Sequence, residues 1–487
     1  MKLNKRIFED KVRACWIGKN IGGTMGTPYE GAREFLDIKG FATAPGEVLP
    51  NDDLDLQLVW LRAVQMLGAQ NINCRSLGEF WCSFITPHWN EYGNGKINMR
   101  RGLLPPVSGD YNNSWKDSNG AWIRTEIWAC LYPACPELAA KYAIEDAKVD
   151  HGVGEGTYAA AFVAAMQSAA FALEDIKDCI TVGLCAIPES SRVARSIRAV
   201  LDCYKSGRSY RETRDTVLAE NADIGDGWFE APSNVAYTVI GLLFGEGDFK
   251  KSMIYAINCG DDTDCTGATL GATLGILRGT AGIPSDWSEY IGDSIVTISI
   301  ARGDRARRLP NTCTELTKAV VCETPHALHA CKAAVSLTDG DSETVTAEEL
   351  SARAESAIRP IFISMTPFTT RHDSIPATAY VTLDREPEIA PLGEIGVKLR
   401  FENNVESHEN SPYNISLRWI LPDGFSVEGG RRALRIPQRS SHDPAPHVEV
   451  EFRILAGETV EVTNRILLEA LFDGRPTAMY IPILLLG

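Results

Sequence analysis

Four glycines at regular intervals constrain the fold of this chain more than any other feature of its sequence. They are Gly267, Gly271, Gly275 and Gly279. Residues four apart lie on the same face of an α-helix, so this face is bare and another backbone can approach it closely. Because each glycine in a helix interior costs roughly 0.5–1 kcal/mol relative to alanine, the pattern predicts a helix whose packing requires that closeness.

Three aspartates, Asp261, Asp262 and Asp264, precede these glycines in a turn rich in glycine and threonine. Clustered acids of this kind repel one another unless a cation holds them. Their hard oxygen atoms suit Mg²⁺, Ca²⁺ or Mn²⁺. A solvated acidic helix N-terminus, favoured by the helix dipole, is the alternative interpretation.

A second acidic cluster favours metal binding over that alternative. Asn51, Asp52 and Asp53 open an apolar run in which leucines recur at helical spacing, and Asp55 is expected to face solvent. Two helices that each begin with paired aspartates can bring four carboxylates around one or two divalent ions. Pairs of ions about 3.5–4 Å apart are a standard device for activating water.

These motifs make the chain resemble the ADP-ribosylglycohydrolase family over residues 8–300. The family's Gly-Asp-x-x-Gly-x-x-x-Glu turn corresponds to residues 22–30. Its Thr-Asp-Asp-Thr motif corresponds to residues 51–54, and its Gly-Gly-Asp-Thr-Asp-Thr motif to residues 260–265. The resemblance implies an all-helical domain that binds two Mg²⁺ ions, with Mn²⁺ as the alternative ion.

The resemblance also implies a set of metal ligands and two candidate catalytic residues. The implied ligands are Asn51, Asp52, Asp53, Asp262, Asp264 and Thr266. The catalytic candidates are Glu30 and Asp53, and Glu30 is expected to deprotonate water or to orient the substrate.

Three of the departures from the family motifs bear on metal coordination. Asn51 still offers a carbonyl oxygen where the family has threonine, whereas Leu54 offers no ligand atom. Cys265 is a poor ligand for Mg²⁺, because a thiol is soft and magnesium prefers oxygen. Either Thr263 or Thr266 supplies the missing hydroxyl, or water takes that coordination position.

Between residues 80 and 128 the chain is irregular and aromatic, which is typical of loops that form the wall of a sugar or nucleobase pocket. We predict that Asp110, Asn112 and Trp122 bind substrate in this region. Ordinary packing of each tryptophan against the helices is the alternative. His151, which loosely matches a histidine of the family, is the fourth predicted substrate-binding residue.

The net charge and the spacing of the cysteines argue against several classes of function. The net charge of −16 and the lack of Lys/Arg-rich runs argue against binding to a nucleic-acid backbone. The thirteen cysteines include no Cys-x-x-Cys pair, which favours reduced thiols over a disulfide framework or a zinc site. The start of the chain lacks a signal-peptide pattern, and no apolar run reaches about 20 residues. We therefore expect a soluble cytoplasmic protein with no membrane association.

The length of 487 residues exceeds one ordinary domain, and the hydrophobic period changes near the C-terminal end. From residue 356 onward, apolar residues alternate with polar ones, as in residues 395–401. We predict a helical catalytic domain over residues 1–322, a linker over 323–355 and an immunoglobulin-like β-sandwich over 356–487. Three roles stay open for this sandwich: forming a homo-oligomer, covering the active site or binding a partner.

The predicted function is divalent-metal-dependent hydrolysis of an N- or O-glycosidic bond at the anomeric carbon of a ribose-like sugar. ADP-ribose attached to a protein or a small molecule is the substrate that the resemblance implies. The alternative is a non-catalytic protein on the same fold that binds metal and a nucleotide or sugar. The four retained aspartates favour the enzyme, since a purely structural protein has no reason to keep mutually repelling acids together.

Overall fold

The computed structural model describes residues 1–224, 228–301, 309–405, 412–438 and 446–487. The chain divides into two compact units. Unit 1 contains Met1–Lys96 and Asn112–Ser364, and unit 2 contains Ile97–Tyr111 and Met365–Gly487. Helices dominate unit 1 and strands dominate unit 2. The predicted combination of a helical domain followed by a β domain is confirmed.

The helices of the described residues begin and end, in chain order, at α1 (Lys5–Gly26), α2 (Asp52–Leu67), α3 (Cys74–Phe84), α4 (Asn90–Arg101), α5 (Val107–Asp110), α6 (Glu126–Leu131), α7 (Pro136–Ala147), α8 (Glu155–Ala169), α9 (Ile176–Cys185), α10 (Arg192–Lys205), α11 (Tyr210–Glu220), α12 (Ala231–Phe244), α13 (Phe249–Ile257), α14 (Thr263–Arg278), α15 (Ser285–Ile291), α16 (Cys313–Ala330) and α17 (Ala347–Ser364). Two short strands of unit 1, β1 (Lys2–Asn4) and β2 (Ser336–Thr338), pair in parallel.

The glycine-faced helix is α14, and its partner is α1. A Cβ atom on Gly271 would overlap the backbone carbonyl of Gly18, and one on Gly267 would press against the carbonyl of Gly22. The prediction of a close backbone approach is therefore confirmed. The contacts run in opposite order along the two helices, so α1 and α14 are antiparallel. This arrangement places the C-terminal end of α1 beside the N-terminal end of α14, where a Cβ on Gly26 would overlap the Thr263 carbonyl.

The residues expected to form a linker, 323–355, are instead ordered parts of unit 1. They include the end of α16, strand β2 and the start of α17. Helix α17 is amphipathic, and Leu350, Ala354 and Ile358 form its buried stripe at a spacing of four residues. Because this stripe packs against α7 and α9, the division between the units falls after Ser364 rather than within residues 323–355.

The strands of unit 2 are β3 (Thr369–Asp373), β4 (Ala377–Leu383), β5 (Glu394–Asn403), β6 (Tyr413–Ile420), β7 (Ser426–Gly429), β8 (Ala433–Ile436), β9 (His447–Leu455), β10 (Thr463–Phe472) and β11 (Ala478–Leu486). They form a four-stranded sheet of order β11-β10-β6-β8 and a five-stranded sheet of order β3-β4-β5-β9-β7. All pairs in both sheets are antiparallel.

One hydrophobic core joins the two sheets of unit 2. The predicted alternation is visible in β5, where Ile395, Val397, Leu399 and Phe401 are all buried. Successive side chains of a strand point to opposite faces, so these four face the core while their neighbours face outward. The immunoglobulin-like topology stays a prediction.

Unit 2 also contains a short segment from the middle of the sequence, Ile97–Tyr111. Leu103 and Val107 of this segment form a small buried cluster with Leu486 of β11. The hydroxyl of Tyr111 donates a hydrogen bond to the carboxylate of Glu388. Unit 2 is thus built from two stretches of chain that are far apart in sequence.

Two further observations concern the cysteines and the apolar character of the helices. All thirteen cysteines are free, and most of them are buried. Across the described ranges, we find no helix with the length and apolar character needed to span a membrane.

Candidate metal centre

The acidic N-terminal ends of α2 and α14 converge in unit 1. Ligand atoms of Asp53, Asp264 and Cys265 lie within 4.8 Å of one another. A second group with the same spacing contains Glu30, Asp262 and Asp264. Asp264 therefore belongs to both groups and joins them. Glu30 reaches the centre because it follows α1, whose C-terminal end lies against the start of α14.

Several carboxylate oxygens at this centre are buried without a hydrogen-bond donor. Neither oxygen of Asp53 has a partner among the described residues, and the same holds for Oδ1 of Asp262 and Oδ1 of Asp264. A buried polar atom without a partner costs roughly 1–3 kcal/mol, and more when it is charged. A bound cation would satisfy these oxygens.

Two other carboxylate oxygens at the centre have donors. The hydroxyl of Tyr92 donates to Oδ2 of Asp52 at 3.0 Å. The side-chain amide of Asn119 donates to Oδ2 of Asp262 at 2.6 Å. Trp122 in turn donates from Nε1 to Oδ1 of Asn119 at 2.9 Å. These bonds fix one oxygen of each aspartate and leave Oδ1 of Asp262 open for a further ligand.

The surroundings favour the protonated forms of these acids. Burial raises the pKa of Asp53 and of Asp262 well above the usual range. Burial and the charge of Asp264 raise the pKa of Asp52 to about 6. The charge of Asp264, followed by burial, raises the pKa of Glu30 to about 8. Clustered carboxylates with raised pKa values are typical of functional sites, where a cation or a proton must compensate their charge.

A buried lysine that sequence analysis did not identify lies next to this centre. Lys19 of α1 is almost fully buried, and its Nζ atom lies 3.1 Å from Oε2 of Glu126. The same ammonium group donates to the carbonyl of Ile123 at 2.7 Å. Its positive charge lowers the pKa of Asp53, although burial outweighs this effect. No local pattern singles out Lys19, because α1 carries several other charged residues, among them Lys11 and Arg13.

Comparison with protein families assigns the chain to one of them. Residues 4–320 match the family model described as ADP-ribosylglycohydrolase. The chain belongs to the ADP-ribosylglycohydrolase family. The resemblance inferred from three short motifs is confirmed, and the matched region extends beyond the predicted residues 8–300 at both ends. No curated protein matches the chain.

Two solved structures are similar to parts of this family member. One, an "ADP-ribosylglycohydrolase-related protein complex", is 18% identical, with a TM-score of 0.44. That match covers 66% of this chain and 98% of the other. The second, a FixG-related protein from Vibrio parahaemolyticus, is 12% identical with a TM-score of 0.18, and covers 23% of this chain and 96% of its own. At these TM-scores neither structure supports a conclusion about the site.

The residues at the centre of this family member fit a hard divalent cation. The buried oxygens without donors belong to carboxylates, which are the ligands that Mg²⁺ and Mn²⁺ prefer. Cys265 fits less well, since burial raises the pKa of its thiol well above the usual value and keeps it neutral. The thiolate is the form of cysteine that binds metals. The donor set therefore consists of oxygens.

Asn51 and Thr266, two of the predicted metal ligands, have their polar groups engaged within the fold. Oδ1 of Asn51 accepts a hydrogen bond from the backbone N–H of Asp53 at 2.8 Å, as an N-cap of α2. The hydroxyl of Thr266 donates to the carbonyl of Thr263 at 3.1 Å. That of Thr263 donates to the carbonyl of Gly26 at 2.9 Å. All three residues stabilise the helix ends from which the aspartates project.

Two departures from the family motifs are linked in space. Gly23 stands where the family's first motif has aspartate. A Cβ atom on Gly23 would overlap the side-chain amide nitrogen of Asn51, which itself replaces a family threonine. The amide of Asn51 therefore fills the space that a side chain at position 23 would need.

The predicted substrate-binding residues lie in different environments. Asp110 belongs to unit 2, and Asn112 is an exposed residue with a positive φ of 47°. Trp122 is fully buried and supports Asn119. His151 is also fully buried, beside Asp150. In this conformation Trp122 and His151 therefore lie in the protein interior and are not part of an exposed pocket wall.

Asp55 was expected to face solvent, and this expectation is wrong. Its side chain is fully buried. Oδ2 accepts hydrogen bonds from the backbone N–H groups of Ile298 and Ser299, each at 2.6 Å. Asp55 thus attaches the segment of Ile298 and Ser299 to α2 by hydrogen bonds. In the described structure, neither carboxylate oxygen of Asp53 has a donor.

The raised pKa values predict how stability depends on pH when no divalent ion is present. A carboxyl group whose pKa is raised by folding binds protons more tightly in the native state, so stability falls as pH rises from its unfolded to its folded pKa. The stability contributed by protonation of Asp52 is therefore lost by about pH 6, and that contributed by Glu30 is lost by about pH 8. We expect the melting temperature in chelator to fall between pH 5 and pH 8, and added Mg²⁺ to restore more stability at pH 8 than at pH 5.

The surface acids whose pKa values are lowered, such as Asp223 at about 2, change stability only below this pH window. Burial lowers the pKa of Lys11 to about 8, so the titration of this group changes stability only above the pH window. Thermal unfolding of the wild type and of Asp52→Asn across pH 5–8 tests the assignment. A wild-type slope that Asp52→Asn leaves unchanged would contradict the role given to Asp52.

Proposed function

We propose that this chain is a divalent-metal-dependent glycohydrolase that cleaves an N- or O-glycosidic bond at the anomeric carbon of a ribose-like sugar. The observation that carries the proposal is the group of buried carboxylate oxygens without donors on Asp53, Asp262 and Asp264. Membership of the ADP-ribosylglycohydrolase family supports a glycosidic bond as the target. ADP-ribose, attached to a protein or a small molecule, is the first candidate substrate.

Four aspartates would hold the metal, as a pair of Mg²⁺ ions or alternatively Mn²⁺: Asp52, Asp53, Asp262 and Asp264. Bound ions of this type lower the pKa of coordinated water and bind sugar hydroxyls, which supplies a nucleophile near neutral pH. Asp53 contributes two open oxygens, the largest number at the centre. Tyr92 and Asn119 each fix one carboxylate oxygen, of Asp52 and of Asp262 respectively, by a hydrogen bond.

Glu30 is our candidate general base. Glu30 as a residue is exposed to solvent, while its carboxyl group is partly buried beside the centre. Its carboxylate oxygen lies within 4.8 Å of those of Asp262 and Asp264. A general base must lie within reach of the proton that it removes, and Glu30 lies beside carboxylates that would hold the water-binding ion. Glu30 accepts the proton of the attacking water in this proposal.

An aromatic residue beside Glu30 favours a substrate with a nucleotide-like group over a simple sugar. Trp228 is 37% exposed and lies in van der Waals distance of the position where a Cβ on Gly31 would be. The guanidinium of Arg33 lies 3.4 Å from the centroid of its ring. An exposed ring offers a stacking surface for a base, and an arginine pairs well with phosphate. Arg33 is a sequence neighbour of Glu30, whereas Trp228 reaches Gly31 from the segment before α12.

The departures at positions 54 and 265 lead to a prediction about substrate preference. Leu54 and Cys265 are both buried and replace hydroxyl-bearing residues of the family. Magnesium tolerates little distortion of its oxygen shell, and a displacement of about 1 Å can lower a rate on the order of a hundredfold. We expect slow hydrolysis of ADP-ribosyl-arginine and ADP-ribosyl-serine, and faster turnover of another furanoside or nucleoside-like glycoside.

Release of ADP-ribose or free sugar, measured by chromatography with Mg²⁺ and with chelator, tests this prediction. Activity on any glycoside should disappear in chelator and return when Mg²⁺ is added. Turnover of ADP-ribosylated protein above about 1 per second, an ordinary enzyme rate, would show that the substitutions are tolerated. Mg²⁺-dependent stabilisation without turnover of any glycoside would favour the alternative, a non-catalytic protein that binds metal and a nucleotide or sugar.

A further inference from the structure

Two pairs of consecutive residues, Glu91-Tyr92 and Ser118-Asn119, connect the acidic centre to a second buried cluster. One member of each pair bonds to an aspartate of the centre: Tyr92 to Asp52, and Asn119 to Asp262. These two aspartates lie at the starts of different helices, α2 and α14. Each helix start therefore has an aspartate whose carboxylate accepts one hydrogen bond from the bridging pairs.

The other members of the two pairs bond to each other. The hydroxyl of Ser118 donates to Oε2 of Glu91 at 2.8 Å. A continuous path thus runs from Asp52 through Tyr92, Glu91, Ser118 and Asn119 to Asp262, by hydrogen bonds and by two single steps along the backbone. We call these four residues the bridge.

Burial makes the bridge rigid. Its four residues are exposed by 6% or less. Water does not compete for hydrogen bonds at such positions, and the low dielectric constant strengthens them. A Cβ atom on Gly120 would overlap Oε1 of Glu91, so the backbone after Asn119 packs directly against the Glu91 carboxylate. The two sides of the bridge are therefore in direct contact.

A charged cluster supports the bridge from behind. His151 lies with Nε2 3.5 Å from the Ser118 hydroxyl and with Nδ1 3.0 Å from Oδ1 of Asp150. The guanidinium of Arg124 donates to both oxygens of Asp150, at 2.7 and 3.1 Å, and to Oδ1 of Asp146 at 3.0 Å. Every one of these side chains is buried. The cluster fills the space behind Ser118 and Glu91 with fixed partners.

We propose that Glu91, Tyr92, Ser118 and Asn119 are positioning residues that fix the carboxylates of Asp52 and Asp262, two of the residues that would hold the divalent ion. The inference rests on the proposed function, because it assumes that these aspartates bind such an ion. Partners that orient metal ligands usually change affinity or activity about 10–100-fold when they are removed. Glu91 and Ser118 do not bond to the aspartates themselves and act through Tyr92 and Asn119.

The test is Mg²⁺ affinity, measured by titration calorimetry on the full-length chain. Ser118→Ala removes one oxygen atom and leaves both bonds to the aspartates in place, and Tyr92→Phe removes one hydroxyl. We expect each variant to bind Mg²⁺ about 10–100-fold more weakly. The double variant should lose less than the product of the two single fold-changes, because residues of one network are coupled. The electron paramagnetic resonance spectrum of bound Mn²⁺ should broaden in both single variants.

Two matched variants control for the loss of a buried hydroxyl. Ser168→Ala removes a buried serine hydroxyl that donates to the carbonyl of Tyr132 at 2.7 Å. Tyr132→Phe removes a hydroxyl whose partner is the thiol of Cys331 at 3.4 Å. Neither residue bonds to the bridge in the described structure. Both variants should bind Mg²⁺ like the wild type, whatever their melting temperatures.

The outcomes separate this inference from the proposed function. Wild-type Mg²⁺ affinity in both Ser118→Ala and Tyr92→Phe would overturn the positioning role, even if both variants were less stable. Multiplicative effects in the double variant would overturn the bridge as a unit. A wild-type protein that binds no divalent ion would overturn the inference and the metal dependence together. Binding of Mg²⁺ that weakens in the variants, without turnover of any glycoside, would support the bridge and contradict only the glycohydrolase proposal.

Discussion

Asp53→Ala should abolish the stabilisation of the protein by Mg²⁺ while leaving the helices folded. Its two carboxylate oxygens are buried without a donor, so the metal-free wild type carries the full cost of a desolvated carboxyl group. We expect Mg²⁺ affinity to fall by more than about a hundredfold, since even an indirect partner of a metal ligand typically contributes 10–100-fold. In chelator, the variant should melt at a higher temperature than the wild type, because the uncompensated acid is gone.

Thermal unfolding with and without Mg²⁺, together with calorimetry, provides the measurement. Asp37→Ala is the control, since Asp37 is an exposed aspartate of the same unit whose carboxylate pairs with Lys39. Asp262→Ala should behave like Asp53→Ala. Unchanged Mg²⁺ affinity in Asp262→Ala would contradict the hypothesis that the acidic centre binds metal, because Oδ1 of this residue is one of the oxygens without a donor.

Glu30→Gln should lower kcat by about 10²–10⁴-fold, the usual contribution of a general acid or base. Glutamine keeps the size and a polar oxygen of the side chain and cannot accept the proton of water. The loss should appear in kcat and in kcat/KM alike, which is the pattern of an interaction made only in the transition state. Steady-state kinetics on the best glycoside substrate, at saturating Mg²⁺, gives both constants.

Glu34→Gln is the matched control for this variant. Glu34 lies four residues further along the chain and is also exposed. We expect its kinetics to equal those of the wild type. A Glu30→Gln variant that loses Mg²⁺ affinity in proportion to its activity would identify Glu30 as a metal ligand instead of a base. An unchanged kcat would exclude both roles.

The parts of this protein that were predictable from sequence are those encoded by local spacing. The bare face of α14 and the two acidic helix starts each occupy a short stretch of chain, so their patterns can be read directly. Asp55 shows where this reasoning fails. Nothing near it indicates that its carboxylate receives the backbone N–H groups of Ile298 and Ser299, which lie more than two hundred residues away.

The same limit explains the missed supports of the centre. Lys19 and Glu126 pair across a long separation in sequence, and each alone has the appearance of an ordinary surface residue. Trp122 was predicted to touch substrate because tryptophans in irregular loops often do, yet its indole N–H supports Asn119 from the interior. Ligand atoms of a site can be recognised from residue type and spacing, whereas the residues that orient them depend on tertiary contacts.

The composition of unit 2 has a consequence for the order of events on the ribosome. Leu103 and Val107 are synthesised long before their partner Leu486, which lies far along the chain. At synthesis rates of about 5–20 residues per second, domains tend to fold in the order in which they appear. The segment Ile97–Tyr111 must therefore wait, with its apolar side chains uncovered, until β11 has been synthesised. A premature stop anywhere upstream of β11 would leave this segment without its cover, so truncated products are expected to be targets for chaperones and proteases rather than stable helical fragments.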